Sequence, residues 1–271
     1  QEKELVGELP GPRYGHTISV VHSRGKTACV LFGGRSYMPP SERTTETWNS
    51  VVDCQPLVYI IDLEFGCSSA HTLPELKDGH SFHLALARND CVYILGGHIA
   101  STNCRPPRLI KLRVELLLGS PLLSCEILND SLSITSAIAT PIGSHEYIIL
   151  GGYQSDSQKR MQCTYVLLDD VGIHIEDRET PDWKTEISQS HTWFGGSLEN
   201  GSTLLAVPSG THPVPLDGYY LYKVSFQLKG DGEEPTQTCS QESTDFEDSA
   251  PLEDSEELYF GREPHEMQDS S

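Results

Sequence analysis

A chain of 271 residues, 37% of them apolar, has room for one large β domain or two smaller ones and can bury a sizeable core. Its formal charge of −20 is uneven: residues 230–271 hold 14 acids against one Arg, so the rest is only mildly acidic. No run of about 18 apolar residues occurs, which excludes a helical membrane span, and the eight cysteines form no CxxC pair, which fits reduced, packed thiols in a reducing intracellular setting. No signal peptide is evident at the start, and Gln1–Glu2–Lys3 reads as the middle of a longer protein.

In chain order, Leu5–Val6 reads as the closing strand of a unit whose beginning is absent. His16–Val21 and Thr27–Gly33 form a hairpin around Ser23–Arg24–Gly25–Lys26. The second of these strands is continuously apolar over Cys29–Phe32, as expected of a central strand covered on both faces. Arg35–Leu57 is too long and polar for a tight turn and is expected to be an inserted functional loop. Val58–Asp62 and Ala70–Leu73 complete four strands.

The pattern then restarts. Phe82–Ala87, Cys91–Leu95, Leu109–Val114 and Ser124–Leu128 form a second set. Ile134–Thr140, Tyr147–Leu150, Thr164–Leu168 and Ile173–Glu176 form a third. Thr192–Gly196, Thr203–Val207 and Tyr219–Val224 form a degenerate fourth, with Pro208–Ser209–Gly210 where a double glycine is expected. The double glycines Gly33–Gly34, Gly96–Gly97 and Gly151–Gly152 each close an apolar run. Four short strands per unit, with a period near about 50 residues, is the signature of kelch repeats, each building one propeller blade. Glycine is required where the backbone turns with positive φ beside a neighbouring chain. The expected fold is therefore all-β: residues 1–229 a partial kelch-type β-propeller of about four blades, with Arg13 and His16 stitching adjacent blades. Residues 230–271 are expected to be an acidic, disordered hinge, with too little apolar surface to offset ordering entropy. Open blade edges are expected to make the isolated chain prone to association.

No Ser/His/Asp or Cys/His constellation is visible. His80 and His83, expected on opposite faces of one strand, read as packing or hydrogen-bonding residues rather than metal ligands. Asp169–Asp170 reads as solvated. Candidate DNA-contacting cations are Arg24, Lys26, Arg35, Arg105, Arg108, Lys111 and Arg113, with Arg43, Lys159 and Arg160 beside them; alternation places Lys111 and Arg113 on one face. Overall acidity argues against strong independent DNA binding. In the insertion, Tyr37, Met38 and Trp48 are candidate partner-binding anchors, whereas Trp183 reads as a packing residue.

The segments LVGELPGPRYGH, VLFGGRSYMP, RTTETWNSV, LPEL, ARNDCVYILGGH, QKRMQC, ETPDW and DSEEL closely resemble the kelch-type accessory subunits of the V(D)J recombinase, from Leu5 to about Leu258. Departures fall in turns such as Asn129–Ser131 and in the tail. The resemblance implies a propeller of six blades, an acidic hinge, and then a plant-homeodomain finger that carries the family's zinc. With only Cys239 after Cys163, that finger's ligands are not in this chain, and no cofactor is expected here.

The resemblance further implies a nuclear, non-catalytic subunit that binds the catalytic subunit and helps engage recombination-signal DNA during antigen-receptor gene assembly in lymphocytes. Strand cleavage belongs to the partner. Histone binding through the acidic tail is a further expectation, and no membrane partner is expected. An alternative class is a kelch adaptor of a ubiquitin ligase; a propeller enzyme such as a sialidase lacks its Ser-x-Asp repeats here.

Overall fold

The structure, a computed structural model, describes residues 4–44, 50–117, 120–128, 134–150, 152–154, 163–178, 194–197, 202–208 and 219–225. Trp48, Gly151, Lys159, Arg160, Trp183 and the 230–271 tail lie outside these residues.

The first sheet contains β1 (Val6–Gly7), β2 (Tyr14–Ser23), β3 (Lys26–Tyr37), β4 (Val51–Asp53), β5 (Leu57–Asp62) and β6 (Cys67–Thr72), in the order β1-β6-β5-β3-β2 with β4 on the far end of β3. The second contains β7 (Leu84–Arg88), β8 (Cys91–Leu95), β9 (Leu109–Glu115) and β10 (Leu122–Leu128), in reverse spatial order. A short pair joins β11 (Ile134–Thr135) to β14 (Tyr153–Gln154). The third sheet is β12 (Ile138–Pro141), β13 (Glu146–Leu150), β15 (Cys163–Leu168) and β16 (Ile173–Arg178). The fourth shows β17 (Phe194–Ser197), β18 (Ser202–Pro208) and β19 (Tyr219–Ser225). Among the described residues, four larger sheets of mainly antiparallel strands, with the short β11–β14 pair between them, form the all-β, propeller-type architecture that the repeats imply.

The packing follows from strand alternation. In β8 all five residues are buried because the second sheet is covered on both faces. Val92 and Ile94 join Ile110, Leu112 and Val114 against Val21, Val30, Phe32, Val58 and Ile60 of the first sheet. Tyr93 and Leu95 face the other way, onto Ile149, Val166 and Leu168 of the third. Each fully buried aliphatic or aromatic side chain contributes about 1.5–3 kcal/mol. The first sheet's other face is less covered, with Ile18 56% and Val20 47% exposed.

At their glycine ends, successive sheets are joined by a repeated backbone device. Phe82 N–H donates to the Gly15 carbonyl at 2.7 Å, and Ser136 N–H donates to the Phe82 carbonyl at 2.9 Å. Gly15, second in β2, Phe82, just before β7, and Ser136, just before β12, stand at the starts of successive sheets, and all are left-handed, with φ of 66°, 57° and 59°. A second rung repeats beside it: Gly34 N–H donates to His80 O and Gly97 N–H to Ile134 O, both at 2.7 Å. The double glycines are needed here because Gly33, Gly34, Gly96, Gly97 and Gly152 all have positive φ, and a Cβ on Gly33 would lie 2.2 Å from His80 O.

Four expectations are corrected. The segment at Leu5–Val6 does not close another unit; β1 lies parallel to β6 at the rim of the first sheet. The insertion is not an irregular loop at its base, because Arg35–Tyr37 continue β3 and pair with β4, and Pro40–Glu42 form a 3-10 turn. The strand expected over Ile134–Thr140 is broken at Ser136, where the left-handed stitch intervenes. Arg13 does not stitch sheets: it donates to Gly33 O and lies over the Tyr59 ring, both in its own sheet. His16 makes no such bond either, and its Nδ1 is buried without a partner among the described residues.

Candidate interaction surface

Each sheet has two ends. At the turn end, the β2–β3 and β7–β8 hairpins close; at the glycine end, the double glycines and the inter-sheet rungs lie. The candidate cations divide between these ends, and the run Arg105–Arg113 does not form one patch. Arg108 leads into β9 at the glycine end, next to Gly96, whose N–H donates to its carbonyl. Arg113 pairs across from Cys91 at the turn end.

Most of these cations are engaged within the molecule. Arg24 pairs with Glu115 at 3.0 Å, Arg108 with Asp78 at 3.5 Å and Arg113 with Asp90 at 3.6 Å. Lys26 Nζ donates to Leu117 O at 3.4 Å. Lys111 lies 5.9 Å from the Tyr93 ring centroid, on the same face as Arg113. Arg105 is half-buried. Arg24, Lys26 and Arg108 each bridge chain segments more than 25 residues apart, so they tie the fold together, whatever else they meet.

Asp169–Asp170 is solvated as expected, with the Asp170 side chain 90% exposed, and both carboxylates also take partners. Asp170 takes Arg88 Nη2 at 2.8 Å, and Arg88 Nη1 also donates to Leu168 O. Asp169 accepts from the backbones of Val171 and Gly172 and from His174, and the Gly172 amide chiefly holds its carboxyl below the usual range. It shapes the β15–β16 turn.

The glycine end holds a buried histidine group that spacing did not reveal. His80 and His83 do not point to opposite faces. His80 precedes the strand and Phe82 turns the chain with positive φ, so both rings rest on Phe32, with centroids 6.1 and 5.4 Å away. His80 Nδ1 donates to Asp78 O at 3.1 Å, and His83 Nε2 meets Thr17 Oγ1 at 2.8 Å across the sheet junction. Burial, then the nearby His80 and His16, push the His83 imidazole down to about 3. Burial, then Arg108, also lowers His80, and burial, then Arg13, lowers His16. These are packed neutral imidazoles. Among the described residues, no group of three His, Cys, Asp or Glu is placed to hold a metal.

Above this group lies an exposed aromatic cluster. Tyr14 opens β2 and Tyr37 closes β3; they are 40% and 46% exposed, with ring centroids 6.5 Å apart. Tyr14 meets Phe82 edge-on at 5.9 Å, and the Arg35 guanidinium lies 5.0 Å from the Phe82 centroid. A bulky residue with left-handed φ costs about 1–3 kcal/mol, and that cost marks Phe82 as a position the surroundings enforce. Arg35 is clamped: Nε and Nη2 donate to Ser81 Oγ at 3.0 and 2.7 Å, and Nη2 donates to His98 Nδ1 at 2.5 Å. Guanidinium can only donate, so His98 carries its proton on Nε2 and gives it to Asn103 Oδ1 at 3.0 Å. Met38, half-buried beside Tyr37, offers its carbonyl to Arg43 Nε at 2.6 Å.

Of the expected anchors, Tyr37 lies in this cluster, and Met38 follows it in the chain with its backbone bonded to Ser50 and Arg43. Tyr14 and Phe82 join Tyr37 although no sequence signal singled them out; the signal available was cross-strand pairing of Tyr14 with Arg35 once the hairpin register is set. The surface offers rings and a preset guanidinium group, side-chain types common in protein contacts.

A family model described as recombination activating protein 2 matches residues 1–263. The chain is 72% identical over 271 residues to the V(D)J recombination-activating protein 2 of Danio rerio, covering 100% of this chain and 51% of that one. It is 50% identical over 264 residues to the Homo sapiens protein of the same name, covering 97% of this chain and 50% of that one. The chain therefore spans about half the length of the curated relatives it matches. A solved chain from a cryo-EM structure of RAG in complex with one melted RSS and one unmelted RSS matches at TM-score 0.77 and 71% identity, over 84% of this chain and 65% of that one. The chain belongs to the recombination activating protein 2 family.

Proposed function

We propose that this chain is part of a non-catalytic accessory subunit of the V(D)J recombinase, one that binds the catalytic subunit and helps engage recombination-signal DNA in the nucleus. Family membership supports this reading, as does the RAG–RSS complex that holds a chain of the same shape. The observation that carries it is the Tyr14–Tyr37–Phe82 cluster with Arg35: an exposed, preorganised contact surface at the end of a rigid stack of sheets. Tyr and Arg lose little side-chain freedom there, because neighbours already hold them.

The partner's docking face is the glycine end, with Tyr37 and Met38 as anchors and Trp48 beside them in the chain. DNA is engaged through the complex. The candidate DNA-contacting cations Arg24, Lys26, Arg35, Arg105, Arg108, Lys111 and Arg113 are divided between the two ends, so they add positive charge at separate points rather than along one rim, and the −20 chain binds duplex weakly by itself. The kelch unit occupies 1–229, is completed to six blades by sequence outside this chain, and leads into an acidic hinge at 230–271 that offers carboxylates to basic histone surfaces. The ubiquitin-ligase adaptor reading has no observation in its favour.

The experiment is co-purification of the full-length protein with the catalytic subunit and a recombination-signal duplex. Wild type is expected to form the ternary complex, and Tyr37→Ala with Trp48→Ala to lose it. Unchanged co-purification of the double variant rejects the docking face; failure of wild type to bind the subunit rejects the function.

A further inference from the structure

We infer that Arg35 and Asp53 form a two-pronged clamp that fixes the Ile99–Cys104 loop of the second sheet onto the insertion of the first, so that the two loops at the glycine end move as one body. Arg35 and Asp53 are positioning residues in this device. Its effect on a partner rests on the reading that the catalytic subunit docks at this end; the clamp itself does not.

The two loops are equivalent parts of successive sheets. The insertion joins β3 to β5, and residues 96–108 join β8 to β9. Arg35 and Asp53 stand directly opposite each other where β3 pairs with β4. Opposed charges at that spacing ordinarily pair with each other. No ion pair joins these two described residues, and each reaches across to the second sheet instead.

The prongs are complementary. Asp53 Oδ2 accepts from the amides of Ala100 at 2.7 Å and Ser101 at 3.1 Å. Arg35 donates to Ser81 Oγ and to His98 Nδ1, and His98 carries the hold onward through Nε2 to Asn103 Oδ1 at 3.0 Å. The loop is gripped at its start and near its end. Its own closure is slight: a single bridge between Ile99 and Cys104, and the Asn103 amide donating to Ala100 O at 3.2 Å. Asn103 is left-handed, with φ of 50°. Ser101, Thr102, Asn103 and Cys104 are exposed and, of the six residues, Ile99 alone is buried, so apolar burial does not hold the tip.

Asp53 is itself held firmly. A Cβ on Gly79 would lie 2.7 Å from the Asp53 Cβ, and Cys54 N–H donates to Gly34 O at 3.0 Å. Asp53 Oδ1 is buried and meets no partner among the described residues. Burying half of a carboxylate unpaired is unfavourable, and the charge-assisted bonds from two amides offset it. Hydrogen bonds thus run from the double glycine, through the base of the insertion, into the neighbouring loop. Ordering both loops before a partner arrives lowers the entropy lost on docking.

The test uses the full-length protein with Asp53→Ala, Asp53→Asn and His98→Ala. Amide exchange is measured on the free protein over residues 98–104, and affinity for the catalytic subunit by titration. Asp53→Ala is expected to speed exchange at Ala100 and Ser101 about tenfold, with Asn103 following and β3 and β8 unchanged. Asp53→Asn keeps one carbonyl oxygen for the two amides and is expected to stay within about threefold of wild type. His98→Ala removes the other prong and is expected to free Ala100 and Ser101 as well as Asn103, the mark of one body. It carries the test should Asp53→Ala not fold. Subunit affinity is expected to fall about threefold in Asp53→Ala and to recover in Asp53→Asn. Unchanged exchange over 98–104 in the alanine variants overturns the clamp. Faster exchange with unchanged subunit affinity leaves a purely structural tie and overturns the positioning role. If wild type does not bind the subunit, the docking reading falls, and the exchange result still decides the clamp.

Discussion

The two ends of the sheets use the same residue types for different purposes. At the turn end, arginine is paired: Arg24 with Glu115, Arg113 with Asp90 and Arg88 with Asp170. At the glycine end Arg108 has such a partner, Asp78, whereas Arg13, Arg35 and Arg43 are anchored on backbone or hydroxyl oxygens, Arg35 beside the exposed tyrosine rings. A charge count cannot tell these ends apart. The difference lies in what holds each guanidinium: carboxylates at the turn end, mostly neutral oxygens at the glycine end.

The largest expected effect separates the glycines of the two ends. Gly33→Ala puts a Cβ into the His80 carbonyl at a φ of 69°, so denaturant titration should show a loss of at least about 3 kcal/mol. Gly25→Ala, in the β2–β3 turn with φ of 76° and nothing within 4 Å, should cost about 1 kcal/mol. Equal costs would remove the distinction between a rung and a turn.

Acidification comes next. The folded His83 value of about 3 lies below its unfolded value of about 6.5, so the unfolded state takes up the proton first. Stability is then full above about pH 6.5 and falls as pH drops toward 3, by up to about 1.4 kcal/mol per unit from this residue. His80 and His16 are shifted in the same direction and add to the slope. Urea titrations from neutral to mildly acidic pH should show the fall, and His83→Gln should flatten it; an unchanged slope in the variant would place the dependence elsewhere.

Tyr37→Ala is expected to weaken association with the catalytic subunit by about 1–2 kcal/mol, roughly tenfold or more, read by titration calorimetry. Its folding free energy should move by no more than about 0.5 kcal/mol, since the ring is 46% exposed. The smallest effect belongs to the turn end. Arg24→Ala and Arg113→Ala remove half-exposed ion pairs and should each cost about 0–1 kcal/mol of stability with unchanged association.

Much of this fold was legible in the residues because kelch-type sheets repeat a strong local signal. The apolar run Cys29–Phe32, its partner Val58–Asp62 and the glycines after each second strand locate β3, β5 and the rungs directly. The breaks at Phe82 and Ser136 were not legible: neither residue type asks for positive φ, and the conformation is imposed by the hydrogen bonds of the neighbouring sheet. The same cause misplaced His80 and His83, whose strand alternation assumed an unbroken strand. Tyr37 and Met38 were visible as interface types in a long insertion, but Tyr14 lies in a motif read only as a strand entry. The basic run Arg105–Arg113 misled in the other direction. Adjacency in sequence along an extended strand, at about 3.3 Å per residue, spreads side chains over both ends of the sheet.

Hydrogen–deuterium exchange on the full-length protein, with and without the catalytic subunit, compares the two ends in one measurement. The account predicts new protection at residues 13–16 and 35–43, with little change at Ser23–Lys26 and Asp90–Cys91. Protection confined to those turns, with the tyrosine surface left as exposed as in the free protein, would contradict it.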